Sequence, residues 1–283
     1  MMYRFSLSRL FNRLASLFVF DRQKRHELRA KYDDNIRGGV RLTRSGAFIN
    51  EFRLNTESNF ALLSNALADK HGLGMLNLML HTTHVPPQYY DIFYKAYYAR
   101  ENTQNLVFID CGVWAGQVVD LGLHVGAKVY AFEPNKYLAP LLRKKYAENA
   151  DVIFYQKAVG VGNFHTKFSE FNTLSQGNTI TIDSRNDIES NANFYDVEVV
   201  DLCEIIEGQI LKAHDKIYFL KLDIEGAEFE IMDKLIDKKL YEKIDHIACE
   251  THERYYMDGD FKIANLKEKI QKNNIKNIFL DWI

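Results

Sequence analysis

The chain has 283 residues, 47% of them hydrophobic and 26% charged, the composition of a globular protein long enough to bury a sizeable core. With 36 basic and 38 acidic residues its formal charge is −2, so the global balance gives no case for a nucleic-acid partner. No run reaches the ~18 apolar residues that a membrane-crossing helix needs, and Cys111, Cys203 and Cys249 are too far apart for a zinc site or a disulfide framework and suit reduced thiols in a cytoplasm.

Residues 3–20 place Leu7, Leu10, Phe11, Leu14, Leu17 and Phe18 at helical spacing, with Arg9 and Arg13 elsewhere on the wheel. The charged stretch that follows is unlike a secretory cleavage site. This segment is expected to be a helix packed on its own domain or on a second subunit; the alternative is a basic amphipathic helix making peripheral contact with the inner face of an anionic membrane. Residues 31–54 carry no assignable pattern. A helical pattern runs from Glu57 to Leu80, interrupted near Gly72 and Gly74, and Pro86-Pro87 leads into an aromatic helix over 88–100. Residues 1–100 therefore read as a helical extension or cap, with His81 and His84 as ordinary surface or core histidines, and residues 101–283 as the main domain.

That domain opens with a buried strand, Leu106 to Ile109, ending in Asp110. A turn with Gly112 and Gly116 leads into a helix, and a second strand, Val129 to Phe132, ends in Glu133. Glycines at such a turn admit a close ligand, the helix start offers free N–H groups, and an acid after the second strand can accept two ribose hydroxyls. Pro134-Asn135 suits the start of the next helix. A third strand, Val152 to Tyr155, is expected to continue into Gln156, Lys157 and Ala158. Residues 163–195 form an insertion, with extended segments at Phe164 to Phe171 and Thr179 to Ile182 and a candidate substrate loop at its tip, Asn172 to Asn178. A short strand follows at Val197 to Val200, and Asp201 is placed to cap a helix over 202–211.

A fourth apolar strand, Lys216 to Leu222, runs into Asp223, Glu225 and Glu228, and a fifth, Ile244 to Cys249, into Glu250 and His252. A helix over Phe261 to Ile270 and a last strand, Ile275 to Trp282, close the chain. Strands alternating with helices, each strand ending in acids, predict a doubly wound, mostly parallel α/β sheet with its site at the carboxyl ends of the strands. The pattern points to an adenosine-containing cofactor. Trp114 is bulky where a dinucleotide fingerprint needs glycine, and Asp110 would repel a pyrophosphate. Both favour S-adenosylmethionine, which has no phosphate and carries a sulfonium and an ammonium, over NAD(P). An NAD(P)-dependent oxidoreductase and a catalytically silent cofactor-fold module that recruits partners are the alternatives.

The segments AFEPN, AVG, VVDLCEII, FLKLDIEGAEFEIM and HIACETHE, in this order over roughly residues 105–255, resemble the FkbM-type family of S-adenosylmethionine-dependent methyltransferases. The resemblance implies a Rossmann-like class I methyltransferase fold with a seven-stranded type of sheet, and O-methylation of a hydroxyl on a sugar, glycan or related natural product. It places Asp110, Gly112, Trp114 and Gly116 at the methionine end of the cofactor and Glu133 with Pro134 at the ribose. Gln156, Lys157 and Ala158 would border the adenine, and Asp223 would lie beside the transferring methyl. Asp223 is the first candidate for the base that accepts the hydroxyl proton and His252 the second, with Glu225, Glu228 and Glu250 toward the substrate. No metal is assigned. The alternative is a hard divalent ion held by Asp223, Glu250 and His252 with Glu225.

Overall fold

The computed structural model describes residues 72–82, 85–100, 106–170, 179 and 193–282. The amphipathic segment 3–20, the stretch 31–54, most of the helical pattern that begins at Glu57, His84 and the loop tip 172–178 lie outside the described residues. The chain divides into two units, Met1–Tyr90 and Asp91–Ile283. In the first, helix α1 spans Leu73–Thr82 and a 3₁₀ turn covers Pro87–Tyr89. Gly72, with φ +84°, precedes α1, whereas Gly74 lies inside it, so a single glycine marks the boundary expected of two. His81 is exposed, its ring edge-on to Tyr90 at 5.2 Å.

The second unit is a layered α/β domain. Its main sheet contains β1 (Val107–Cys111), β2 (Lys128–Phe132), β3 (Val152–Tyr155), β7 (Ile217–Leu222), β8 (Ile244–Cys249) and β9 (Ile278–Phe279) in the order β3-β2-β1-β7-β8-β9. Every neighbouring pair is parallel, and the order reverses direction at β1. The described residues thus give six strands, and the strand expected over 275–282 is reduced to two residues. The central strands are apolar runs covered on both faces, as a parallel sheet requires. On one face Ile109, Tyr130, Leu220 and Ile247 meet Phe229, Met232 and Leu235 of α6 (Glu228–Asp237) and Leu266 of α7 (Gly259–Lys272). Each such buried side chain stabilises the fold by roughly 1.5–3 kcal/mol. On the other face Phe108 and Phe219 pack in tilted ring contacts with Phe93 of α2 (Tyr90–Ala99). The helix α3 (Gln117–His124) comes close to β1 and β2, where a Cβ at Gly122 would press on Val129 and Phe108. By the period-2 alternation of a strand, Asp110 and Lys221 share the face of Phe108 and Phe219.

The expected continuation of the third strand does not occur. The chain breaks at Gln156-Lys157, and β4 (Ala158–Gly160) leaves the main sheet to form a second one, β4-β6-β5, with β5 (Phe164–Glu170) and β6 (Asn193–Asp201). The insertion is therefore a hairpin whose second arm is β6, paired antiparallel from Phe164↔Val199 to Glu170↔Asn193. Thr179, expected to open a strand of its own, makes an isolated bridge to Ser169. Asp201 caps the next helix as predicted, its Oδ1 accepting the Glu204 N–H at 3.1 Å. That helix, α5, starts as Leu202–Ile205 and passes through a π-helical turn at Ile206–Ile210.

Candidate active site

The site is built by register. Cys111 pairs with Phe132 on one side and Leu222 on the other, and Leu222 pairs with Cys249. Four strands consequently end in one line, and the residues that follow, Gly112, Glu133, Asp223 and Glu250, stand along one rim. Backbone hydrogen bonds extend the ladder by one residue: Gly112 N–H to Phe132 (3.0 Å), Asp223 N–H to Cys111 (3.2 Å) and Glu250 N–H to Leu222 (3.0 Å).

Both loop glycines have φ near +80°, a conformation in which only glycine is unstrained. The need for glycine is internal, however. A Cβ at Gly112 would overlap the carbonyl oxygen of Asp223, and one at Gly116 would strike the hydroxyl of Tyr146. Glycine is thus required at both positions by the protein's own packing on the side where a Cβ would lie. Trp114 also adopts positive φ (+46°), and its N–H donates to Glu133 Oε2 at 2.8 Å. Asn135 N–H donates to Glu133 Oε1 at 2.9 Å, so this carboxylate ties the loop after β1 to the turn after β2. Each oxygen keeps a second lone pair for a hydroxyl. Burial pushes the Glu133 carboxyl up, and the two amides oppose that shift. Pro134 sits in that turn. Asn135 Oδ1 accepts the N–H groups of Tyr137 and Leu138, which starts α4 (Leu138–Lys145).

Asp110 is 1% exposed, and neither of its carboxylate oxygens has a hydrogen-bond partner among the described residues. Its nearest cation is Lys221 Nζ, 3.4 Å away. Burial raises its carboxyl to about 6 against the pull of Lys221. Lys221 is itself buried in β7 and donates to the Gly112 carbonyl at 2.6 Å, with Asp223 Oδ2 at 3.2 Å. Burial alone would lower its pKa, but Asp223 and Asp110 raise it beyond that, so it is a fixed ammonium. Sequence reading passed over Lys221. The available signal was a lysine in an otherwise apolar, fully buried strand, where a charge persists only if paired.

The second half of the rim is a carboxylate cluster around one imidazole. His252 is fully buried. Its Nδ1 is 3.0 Å from Glu228 Oε1, and its Nε2 lies 3.2 Å from Glu225 Oε2, 3.4 Å from Glu250 Oε1 and 3.8 Å from Asp223 Oδ1. Glu228 Oε1 also accepts the N–H groups of Ile224 and Gly226, both at 3.0 Å, so Nδ1–H must be the donor in its contact with Glu228. Glu225, Ala227 and His252 have φ of +61°, +72° and +48°, costing roughly 1–2 kcal/mol each. Tyr255 stacks on His252 with ring centroids 5.3 Å apart and donates to Glu225 Oε2 at 2.8 Å, while Arg254 holds Glu250 at 3.0 Å. Thr179 Oγ1 donates to the Glu225 carbonyl at 2.5 Å, which anchors the insertion to the acidic turn. Tyr255 and Thr179 had no sequence signal as site residues.

Among the predicted substrate residues, Glu225 and Glu250 remain on the rim, but Glu228 is fully buried and spends one oxygen on the turn and His252. It is a positioning residue, and the expected substrate contact is replaced by that role. Burial would lower the His252 pKa, but the close carboxylates of Glu225 and Glu228 outweigh it and raise it to about 11. Asp223, the other base candidate, is one quarter exposed on the rim. Lys157 is held by Glu198 at 2.6 Å and Ala158 is buried at the start of β4, so of the three predicted adenine neighbours only Gln156 is left without such an anchor on this edge.

A family model described as the methyltransferase FkbM domain matches residues 115–274, more than half of the chain. The chain belongs to the FkbM methyltransferase family. The match spans α3 to α7, including Glu133, the whole Asp223–Glu228 turn and His252, and it begins just after Gly112. No curated protein and no solved structure shows significant similarity to this FkbM methyltransferase. No helix among the described residues is long and apolar enough to cross a membrane.

Proposed function

We propose that this methyltransferase uses S-adenosylmethionine to methylate a hydroxyl oxygen of a sugar, glycan or related natural product. The observation that carries the cofactor is Asp110, a buried carboxylate with no hydrogen-bond partner among the described residues, beside a loop whose Trp114 N–H is already taken by Glu133. A buried anion whose oxygens form no hydrogen bond among the described residues and whose nearest cation there is 3.4 Å away suits an ammonium group and disfavours a pyrophosphate. When bound, S-adenosylmethionine supplies a methyl group already activated by the positive sulfur. The protein's share is to bind, align and dehydrate the partners. Asp110 takes the ammonium, and the free lone pairs of Glu133 take the ribose hydroxyls. Lys221 fixes Asp223 through Oδ2 at 3.2 Å, leaving Oδ1 to accept the acceptor's hydroxyl proton.

Calorimetry with S-adenosylmethionine, its demethylated product and NAD tests the cofactor: heat with the first two and none with NAD is expected. Absence of heat with the first two overturns the proposal. Labelled S-adenosylmethionine incubated with glycan and nucleotide-sugar fractions, followed by mass spectrometry, identifies the acceptor. Methyl groups found on nitrogen or carbon would overturn the assignment to oxygen.

A further inference from the structure

The neighbourhood of His252 has a charge problem that the methyl-transfer reading leaves unsolved. Asp110, Asp223, Glu225, Glu228 and Glu250 form one chain of contacts whose side-chain cations among the described residues include Lys221 and Arg254. With Nδ1–H directed at Glu228, the bare lone pair of Nε2 would face three carboxylates, which is repulsive. A positive species must therefore sit at Nε2, either a proton or a metal ion. Nε2 is buried and forms no hydrogen bond among the described residues, with Glu225 Oε2 the nearest carboxylate oxygen at 3.2 Å. An ion can bind several of these oxygens at once, which a single N–H cannot.

The donor geometry fits an ion. One oxygen of Asp223, one of Glu225 and Nε2 of His252 all lie within 4.8 Å of one another. The imidazole is oriented from behind by Glu228, the arrangement that fixes the tautomer and ring angle of metal-ligating histidines. Two of the three donors, Glu225 and His252, are delivered by non-glycine residues in the left-handed conformation. We propose that Asp223, Glu225 and His252 form a divalent-cation site, with Glu250 as an adjacent donor and Glu228 as the positioning residue behind the imidazole. An oxygen-rich set with one nitrogen suits Mn²⁺ or Mg²⁺ and lacks the thiolates that favour softer metals. The three protein donors leave coordination positions open. Resting on the methyltransferase reading, one of these would hold the acceptor hydroxyl and lower its pKa, with its proton passing to the lone pair of Asp223 Oδ1 that the ion does not use.

The test is titration of the full-length protein, free of cofactor, with manganese chloride while the electron paramagnetic resonance signal of the free ion is followed. Binding of one ion per chain is expected, and the bound ion should show nitrogen hyperfine coupling from a single imidazole. Glu225→Gln should abolish binding in a variant that circular dichroism shows to be folded. Glu228→Gln, which keeps the shape of the side chain, should weaken binding by about 10–100-fold. A free-ion signal undiminished at millimolar protein and metal overturns the site, leaving the imidazolium as the cation at Nε2. Bound manganese without nitrogen coupling overturns it as well, and so does unchanged binding in Glu225→Gln. Calorimetry with S-adenosylmethionine separates the two readings: ion binding without cofactor binding sinks the cofactor assignment and leaves the cation site standing. Cofactor-dependent transfer in excess EDTA, with no ion bound, overturns the ion's part in activating the hydroxyl and leaves the methyltransferase reading standing.

Discussion

The two halves of the rim solve the same problem in opposite ways. Around Gly112–Gly116 and Glu133, backbone amides of Trp114 and Asn135 hold a carboxylate, and the positive φ angles fall on glycines except at Trp114. Around Asp223–Glu228 and His252, side chains hold one another, and the positive φ angles fall on Glu225, Ala227 and His252 as well as on Gly226. The first half is a rigid cradle set by chain path. The second stores strain and charge, which persist only where the surrounding structure enforces them, and it is the half to which the proposed chemistry is assigned.

The sharpest way to break this contrast is Asp223→Asn. If Asp223 takes the hydroxyl proton, turnover should fall ~10²–10⁴-fold, while calorimetric affinity for S-adenosylmethionine changes only a few-fold. A parallel loss of affinity would move Asp223 into the cradle. Next comes Glu228→Ala, which strands two backbone amides and an imidazole in a fully buried place. It should destabilise the fold by about 3–5 kcal/mol in urea titrations, and Glu228→Gln should recover part of that loss. Glu133→Ala tests the cradle: cofactor affinity should drop roughly 10–100-fold, since the lost hydrogen bonds involve a charged group, with less effect on the turnover of bound substrate.

The smallest effect is a pH dependence of the cradle. The Asp110 carboxyl rises from 3.8 to about 6 on folding, so between those values the folded chain holds a proton that the unfolded chain has released. This group's contribution to stability therefore falls as pH rises through that window. Affinity for an ammonium group runs the other way. It should weaken roughly tenfold per pH unit below about 6, as Asp110 becomes neutral. In Asp110→Asn the calorimetric affinity should be lower and flat across the same range.

Much of the cradle was legible before the fold was known. The apolar run into Asp110, the spacing of Gly112 and Gly116 and the acid at Glu133 imply a strand, turn, helix and strand with a ligand edge, and the coordinates hold that order. The reason for the glycines was not legible, because the carbonyl of Asp223 that fills the space beside Gly112 lies 111 residues away in sequence. The pairing of β5 with β6 was not legible for a related reason: nothing within Asn193 to Val200 names its partner strand, and only cross-strand register does, while Thr179 lies against Ser169.

By itself the sequence determined the alternation of strands and helices, the placement of acids at strand ends and membership of the FkbM methyltransferase family, because those depend on local periodicity and on short contiguous motifs. Tertiary structure decided how Asp223, Glu225, Glu228, Glu250 and His252 share one imidazole, and that Lys221 stands between Asp110 and Asp223. Those contacts follow from parallel register, which sets residues from β1, β7 and β8 side by side and has no counterpart in the spacing of any one segment.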